Sequence, residues 1–441
     1  RGLVGMMKLS EWITRIGLIL MVILSIYFSV NIWLNSAKKI PEMKSGSQVT
    51  TAVNEKAIGD VYLPLQLIRI TDGKAMQSNR ETLISNVQND IKMATFGKLT
   101  QVVTKNAEQL KRYNQMEQGI ELLYQGPFLI SDYASIYNLS INFTNFNELT
   151  DQYFTKIQLD FNENKIRFLD YDQANVYEAP MTVNKARLMG IINKEGLQYQ
   201  DVSENTLTKQ GQCYLTNDMK LKKYSYILAS QPVTRFRNAF FNETEDIQTN
   251  EDSQDLTYTS KEERLFAEEK LGKIDFKGTL PEENKRDSIY NQSFSYVKRL
   301  GTNMGNLRYF DRTKDSVNYR TFVEGFPVFS NDLKGQVDIR ITNNDGAAPS
   351  VTINTSVNTI QVPIPSEEEV TLESTEKLIK RLETAGAKKE KIQSAVIGYT
   401  WQTIEEVKQV VDLSPEWYVL YNNNWYTATD LVKQLPSLEV G

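Results

Sequence analysis

Histidine is absent from all 441 residues, and cysteine occurs once, at Cys213. Without imidazole there is no Ser-His-Asp or Cys-His nucleophile system, no His-bound zinc and no imidazole acid–base step. A lone thiol likewise excludes a Cys-rich metal site and a dithiol redox pair. An unpaired cysteine suits an exported protein of a cell that folds such proteins without disulfides. Basic runs are missing too, and the formal net charge is −5, which argues against nucleic acid as a partner. No repeat of fixed period stands out. None of the patterns G-x-S-x-G, S-x-x-K, G-x-x-x-x-G-K-[ST] or G-x-G-x-x-G falls in a convincing context.

What remains for an enzyme is carboxylate, lysine, tyrosine and serine chemistry. Glycosidases work with two carboxyl groups roughly 5 to 10 Å apart, so the 55 acidic residues leave that class open. Asp170-Tyr171-Asp172 is a chelating pair only on paper, because neighbours on a strand face opposite ways and a turn explains both aspartates. "NNDG" at 343–346 lacks the alternating acids and closing glutamate of a calcium loop, and reads as a hairpin turn in which Asp345-Gly346 supply positive φ. No cofactor and no metal site is expected.

Charge is also missing between Arg15 and Lys38, where the chain runs "RIGLILMVILSIYFSVNIWLNSAKK" (15–39). A bilayer core needs roughly 20 apolar residues at 1.5 Å each, so this run is long enough to span. Its apolar region exceeds that of a signal peptide, which is usually about 7 to 15 residues, so an uncleaved anchor is expected. Trp12 and Trp33 bracket it like an interfacial aromatic belt. Lysines and arginines flank both ends, so the positive-inside rule does not set the orientation. The thiol argument places the N-terminus in the cytoplasm and the bulk outside.

Within the run, Gly17, Met21, Ser25 and Ser29 recur every fourth residue along one helix face. Small residues on one ridge let helix backbones approach closely in lipid, so this face is a candidate partner-packing surface; the alternative is that any anchor carries a few small residues.

Beyond the anchor the expected fold is α+β: a multidomain extracytoplasmic region of mainly antiparallel sheets with scattered helices. Residues 1–37 form the cytoplasmic end and span, and 38–55, with Pro41, Gly46 and several Ser and Thr, a linker. A domain over 56–200 carries strand-like alternation at 60–71, a helix whose stripe is Leu83, Ile84, Val87 and Ile91, a strand at 119–131 and a hairpin at 153–171. The central domain, 201–300, holds a strand and a short helix with Phe236, Phe240 and Phe241, followed by an acidic exposed loop at 242–255. From 294 the pattern reads as mostly β, including "FSYVKRLG", within a C-terminal domain over 301–441. There a helix at 375–385 is capped by Ser374 and ended by Gly386. An aromatic hairpin closes the chain at 416–428. Its aromatics, with Trp401, Trp417, Tyr421 and Trp425 foremost, are either core or a surface for sugar rings or a protein, and alternation along the hairpin favours core.

The opening "SEWITRIGLILMVILSIYFS", "TRFRNAFFN" (234–242), "NYRTFVEGFPVF" (318–329), "VIGYTW" (396–401) and "PEWYVLYNNNWY" (415–426), in that order, resemble the YycH (WalH) family. Arg1 to Gly5 lies upstream of Met6 and Met7, where a member of that family is expected to start. The resemblance implies a single-pass cell-membrane protein that regulates the WalK/WalR (YycG/YycF) two-component system of Gram-positive bacteria. It further implies complexes with the sensor histidine kinase and a YycI-like membrane protein through transmembrane and outer-domain contacts, an output on cell-wall metabolism, and no catalytic residues. The competing expectation is a wall-polysaccharide-binding module or a carboxylate-based wall hydrolase.

Overall fold

Asp160 ends one strand and Asp170 the next, and both set up turns in the same way. The Oδ1 of Asp160 accepts the N–H groups of Asn162 and Glu163 at 2.9 Å, while the Oδ1 of Asp170 accepts those of Asp172 and Gln173 at 3.0 and 3.1 Å. Each turn finishes on a residue with positive φ, Asn164 and Ala174. These Asx turns join strands Tyr153–Asp160, Lys165–Asp170 and Asn175–Thr182 into a meander. Its first hairpin pairs Ile157 with Phe168 and Leu159 with Ile166, as the alternation implies.

The computed structural model describes residues 55–146, 152–203, 214–242, 246–252, 255–343, 348–364, 366–404, 407 and 409–438, together with Met21 and Ser25. The chain divides into two units, Arg1–Ala52 and Val53–Gly441. Of the first, Met21 and Ser25 are helical and exposed. The expected span, with Trp12, Gly17, Ser29 and Trp33, otherwise lies outside the described residues, as does the Asp345-Gly346 turn. Among the described residues no helix is long and apolar enough to cross a membrane.

The second unit is mainly antiparallel sheet with scattered helices. The meander belongs to a ten-stranded sheet whose other central strands are Gln66–Thr71, Lys74–Ser78 and Gly119–Leu129, with Gln200–Ser203 beside Lys74–Ser78. Helix Glu81–Ile91 lays Leu83, Ile84, Val87 and Ile91 on the common core beside Leu188 and Ile192 of helix Lys185–Ile192. Ahead of the first strand, Ile58–Val61 is a short helix, which shortens the strand expected over 60–71.

Apart from a two-stranded sheet, Met219–Lys222 with Glu369–Leu372, a fourteen-stranded sheet carries the rest. One half packs against helices Val233–Phe240 and Ile289–Leu300, the other against Thr375–Thr384 and Ala428–Leu438. Its join is parallel: Phe326–Phe329 meets Ile392–Thr403 with Val328 opposite Tyr399. The closing hairpin pairs Val410–Tyr421 with Asn424–Thr427 about Asn422 and Asn423, at φ 50° and 66°, the type I′ geometry that asparagine tolerates.

Two expectations change. Residues 294–301, read as strand, belong to the helix Ile289–Leu300, because Ser288 caps it at Asn291 N–H and the buried stripe Tyr290, Phe294, Val297 and Leu300 has helical spacing. The acidic stretch after residue 242 is not all loop: Gln248–Asp252 is an edge strand on Asp255–Ser260. Its exposed polar and charged side chains suit an edge kept from pairing with other chains.

Candidate functional site

The two sheets meet along a seam built from buried polar side chains. Strand Leu307–Arg312 of the larger sheet supplies Arg308, which is 1% exposed. Its Nη2 donates to the carbonyls of Leu63 and Pro64 at 2.9 and 2.7 Å, its Nη1 donates to Glu81 Oε1 at 2.9 Å, and the guanidinium lies 4.5 Å from the Phe322 ring centre. One arginine thereby ties the loop ahead of strand Gln66–Thr71 and the start of helix Glu81–Ile91 to the larger sheet.

Next to it, hydroxyls bridge the same divide. Tyr62 Oη donates to the carbonyl of Tyr290 at 2.7 Å and lies 2.6 Å from Tyr319 Oη, which contacts Ser293 Oγ at 2.7 Å. Tyr309 donates to the carbonyl of Pro127, and Tyr124 to that of Tyr62, each at 2.7 Å. Burial pushes the Tyr62, Tyr124, Tyr309 and Tyr319 hydroxyls up from their ordinary value. They stay protonated at neutral pH and serve as hydrogen-bond donors rather than as bases.

One tight approach completes the seam. A Cβ on Gly325 would lie 1.9 Å from the carbonyl oxygen of Asn79, so the tip of the hairpin Ser316–Val323/Phe326–Phe329 fits against the smaller sheet only as glycine. Within the smaller sheet, on the adjacent strands Gly119–Leu129 and Tyr153–Asp160, Glu121 and Lys156 form an ion pair at 3.1 Å with both side chains almost fully buried. Arg320 is sandwiched between Phe310 and Phe329 at 5.1 and 4.1 Å, and burial lowers its pKa to about 10, which leaves it charged at neutral pH.

Beside the seam, residues 77–82 and 196–200 face 219–224 and 324–326 across an open cleft of about 710 Å³. Among the described residues no three Asp, Glu or Cys side chains gather as a metal site. Asp170 holds the turn N–H groups described above, which accounts for the Asp170-Tyr171-Asp172 pattern.

The sequence-derived aromatic candidates divide by burial. Trp401, Trp417 and Tyr421 lie in the core with the C-terminal helices; Trp417 Nε1 donates to the carbonyl of Glu373 at 2.9 Å and Tyr421 Oη accepts the Lys388 N–H at 3.0 Å. Trp425 is half-buried, 5.4 Å from Phe310 and 5.7 Å from Phe329. None of the four is an exposed platform. The anchor candidates Gly17, Met21, Ser25 and Ser29 stand as described for the first unit. Arg308 and the glutamine pair Gln77 and Gln200 escaped the sequence reading, since each acts with residues more than a hundred positions away, whereas Arg320 escaped it although Phe310, Val328 and Phe329 lie within ten positions.

Fold and seam define an α+β protein in which two long antiparallel sheets share one core and buried charge is spent on joining them. Residues 210–434 match the family described as YycH protein, C-terminal domain. The crystal structure of YycH from Bacillus subtilis is similar to this chain with a TM-score of 0.66 at 13% identity, covering 85% of this chain and 98% of that one. No curated protein matches in sequence. The chain belongs to the YycH family.

Proposed function

We propose that this protein is a membrane-anchored, non-enzymatic regulator of a sensor histidine kinase of the WalK type, working outside the cell beside a YycI-like protein and adjusting cell-wall metabolism. The family match over 210–434 carries the reading. The architecture supports it: the buried arginines and tyrosines that would be conspicuous in an active site are consumed by the seam, which suits a body that presents surfaces to partners.

In this reading residues 1–37 hold a short cytoplasmic N-terminal end and the membrane-spanning helix, 38–55 tether the outer region, and the segments 56–200, 201–300 and 301–441 supply its contact faces. Binding that favours one kinase conformer shifts activity by the difference in affinity between conformers. A difference of about 1.4 kcal/mol changes the ratio of states tenfold.

Replacing Gly17, Ser25 and Ser29 together with leucine tests the anchor's share. The expected result is weaker co-purification with the kinase from membranes and an altered reporter output. Unchanged recovery and unchanged output remove the span from the mechanism. In parallel, the protein incubated with purified wall material is expected to release no soluble fragments.

A further inference from the structure

We propose that the cleft beside the seam is a binding site for a neutral oligosaccharide bearing acetamido and hydroxyl groups. One wall is a patch of primary amides. Gln77 is 5% exposed, yet its side chain makes no hydrogen bond to any described residue and opens into the cleft. Gln200 is its register partner on the neighbouring antiparallel strand, so the two side chains share a face, and Gln198 stands two residues before Gln200. Neither of these side chains hydrogen-bonds to any described residue, and all three line the cleft.

A buried amide left without a protein partner asks for one from outside. A primary amide both donates and accepts. Hydroxyl and acetamido groups do the same and match it at each contact, whereas a phosphate only accepts and an ammonium only donates.

The charges at the cleft carry the same message. Arg80 and Lys220 are exposed on it without an ion-pair partner among the described residues, and so are Glu324 and Glu369. Two of each sign leave no field that would gather a polyanion or a polycation. Tyr224, half-buried on the opposite wall and 5.7 Å from Tyr399, offers a ring on which the C–H face of a sugar can stack. Strand Lys74–Ser78 is already paired on both sides with Gln66–Thr71 and Gln200–Ser203, so among the described residues an edge for an extended peptide is offered instead by Met219–Lys222 on the opposite wall, and the pentaglycine comparison tests that occupant.

This site is independent of the proposed kinase contact, which the leucine-substituted span tests separately. The experiment is calorimetric titration of the detergent-solubilised full chain with chitotetraose, with cellotetraose and pentaglycine as comparisons. Saturable binding of chitotetraose is expected, at least tenfold weaker in the variant Gln77→Leu/Gln200→Leu and weaker for cellotetraose in the parent. Since neither glutamine side chain bonds to a described residue, that variant should melt within a few degrees of the parent. Should it fail to fold, Tyr224→Ala takes its place with the same expected loss. The proposal is overturned by absence of chitotetraose binding, by full binding in the folded variants, by equal affinity for cellotetraose, or by preference for pentaglycine.

Discussion

Arg308 shows how much one side chain decides. Its donors satisfy the carbonyls of Leu63 and Pro64, and Glu81 balances its charge. Arg308→Met keeps much of the volume but strips two buried carbonyls of their partners, and breaking such a buried network costs about 3–5 kcal/mol. The urea midpoint should fall accordingly, with Arg308→Lys between the two; a loss under about 1 kcal/mol for the methionine variant would show that water replaces the guanidinium. Asp170 works in the opposite direction. Burial lifts its carboxyl from 3.8 to about 6, and its Oδ2 has no hydrogen-bond partner among the described residues. The folded state therefore holds this proton more tightly than the unfolded chain, so the stabilisation is complete below the ordinary value of 3.8 and is lost as pH rises through about 6. Asp170→Asn keeps the acceptor for the turn N–H groups and cannot ionise. Relative to the parent it should gain stability between pH 4 and pH 7, on the order of 2 kcal/mol, read from melting curves across that range. A difference that stays constant with pH would mean the carboxyl titrates normally.

Among the elements, the hairpin that ends in Glu324-Gly325 is the one the seam depends on. Gly325 has φ 82° and its missing Cβ makes room for Asn79, whereas Gly73, at φ 71° in the turn between Gln66–Thr71 and Lys74–Ser78, has nothing within 4 Å. The pair separates backbone strain from steric exclusion. Gly73→Ala should cost about 1 kcal/mol from the left-handed conformation alone, while Gly325→Ala must also push the hairpin off the smaller sheet and should cost several times as much. Similar losses, compared by thermal melting, would mean that the seam yields easily. Elements of this kind were legible in the sequence wherever their periodicity was local: the 153–170 hairpin, the stripe of Glu81–Ile91 and the 375–384 helix all follow from apolar spacing within a dozen residues. Helix Ile289–Leu300 was misread because Phe294, Tyr296 and Val297 have the composition of a strand, and the stripe that identifies the helix begins at Tyr290, outside the stretch that looked β. The edge strand Gln248–Asp252 was hidden for another reason. Its order comes from its neighbour Asp255–Ser260 rather than from any apolar face of its own.

At the scale of the molecule, no local pattern predicts the seam, because its partners are far apart in the chain: Tyr62 with Tyr319, Arg308 with Leu63, Tyr309 with Pro127. The cleft was hidden in the same way, since its amide wall joins Gln77 to Gln200 and each glutamine by itself looks like any surface residue. Burial of the C-terminal aromatics was within reach of the alternation rule, and Trp401, Trp417 and Tyr421 follow it. The larger lesson is energetic. One apolar cluster joins Val61 and the smaller sheet to residues of the larger one such as Val317 and Ile353, so the halves of Val53–Gly441 cannot separate without exposing tyrosines and an arginine that hydrogen-bond across the divide. Cooperative unfolding follows when the interface between parts is worth as much as the parts themselves. Calorimetry of the detergent-solubilised chain should therefore show a single transition for this unit, and Tyr319→Phe, which removes a hydroxyl that touches both Tyr62 and Ser293, should lower it by about 1–2 kcal/mol without splitting it. Two resolved transitions in the parent would mean that the sheets fold alone and the seam is a docking contact. In that event a partner that binds one sheet could act by loosening the other, whereas a single transition obliges every bound partner to act on the unit as a whole.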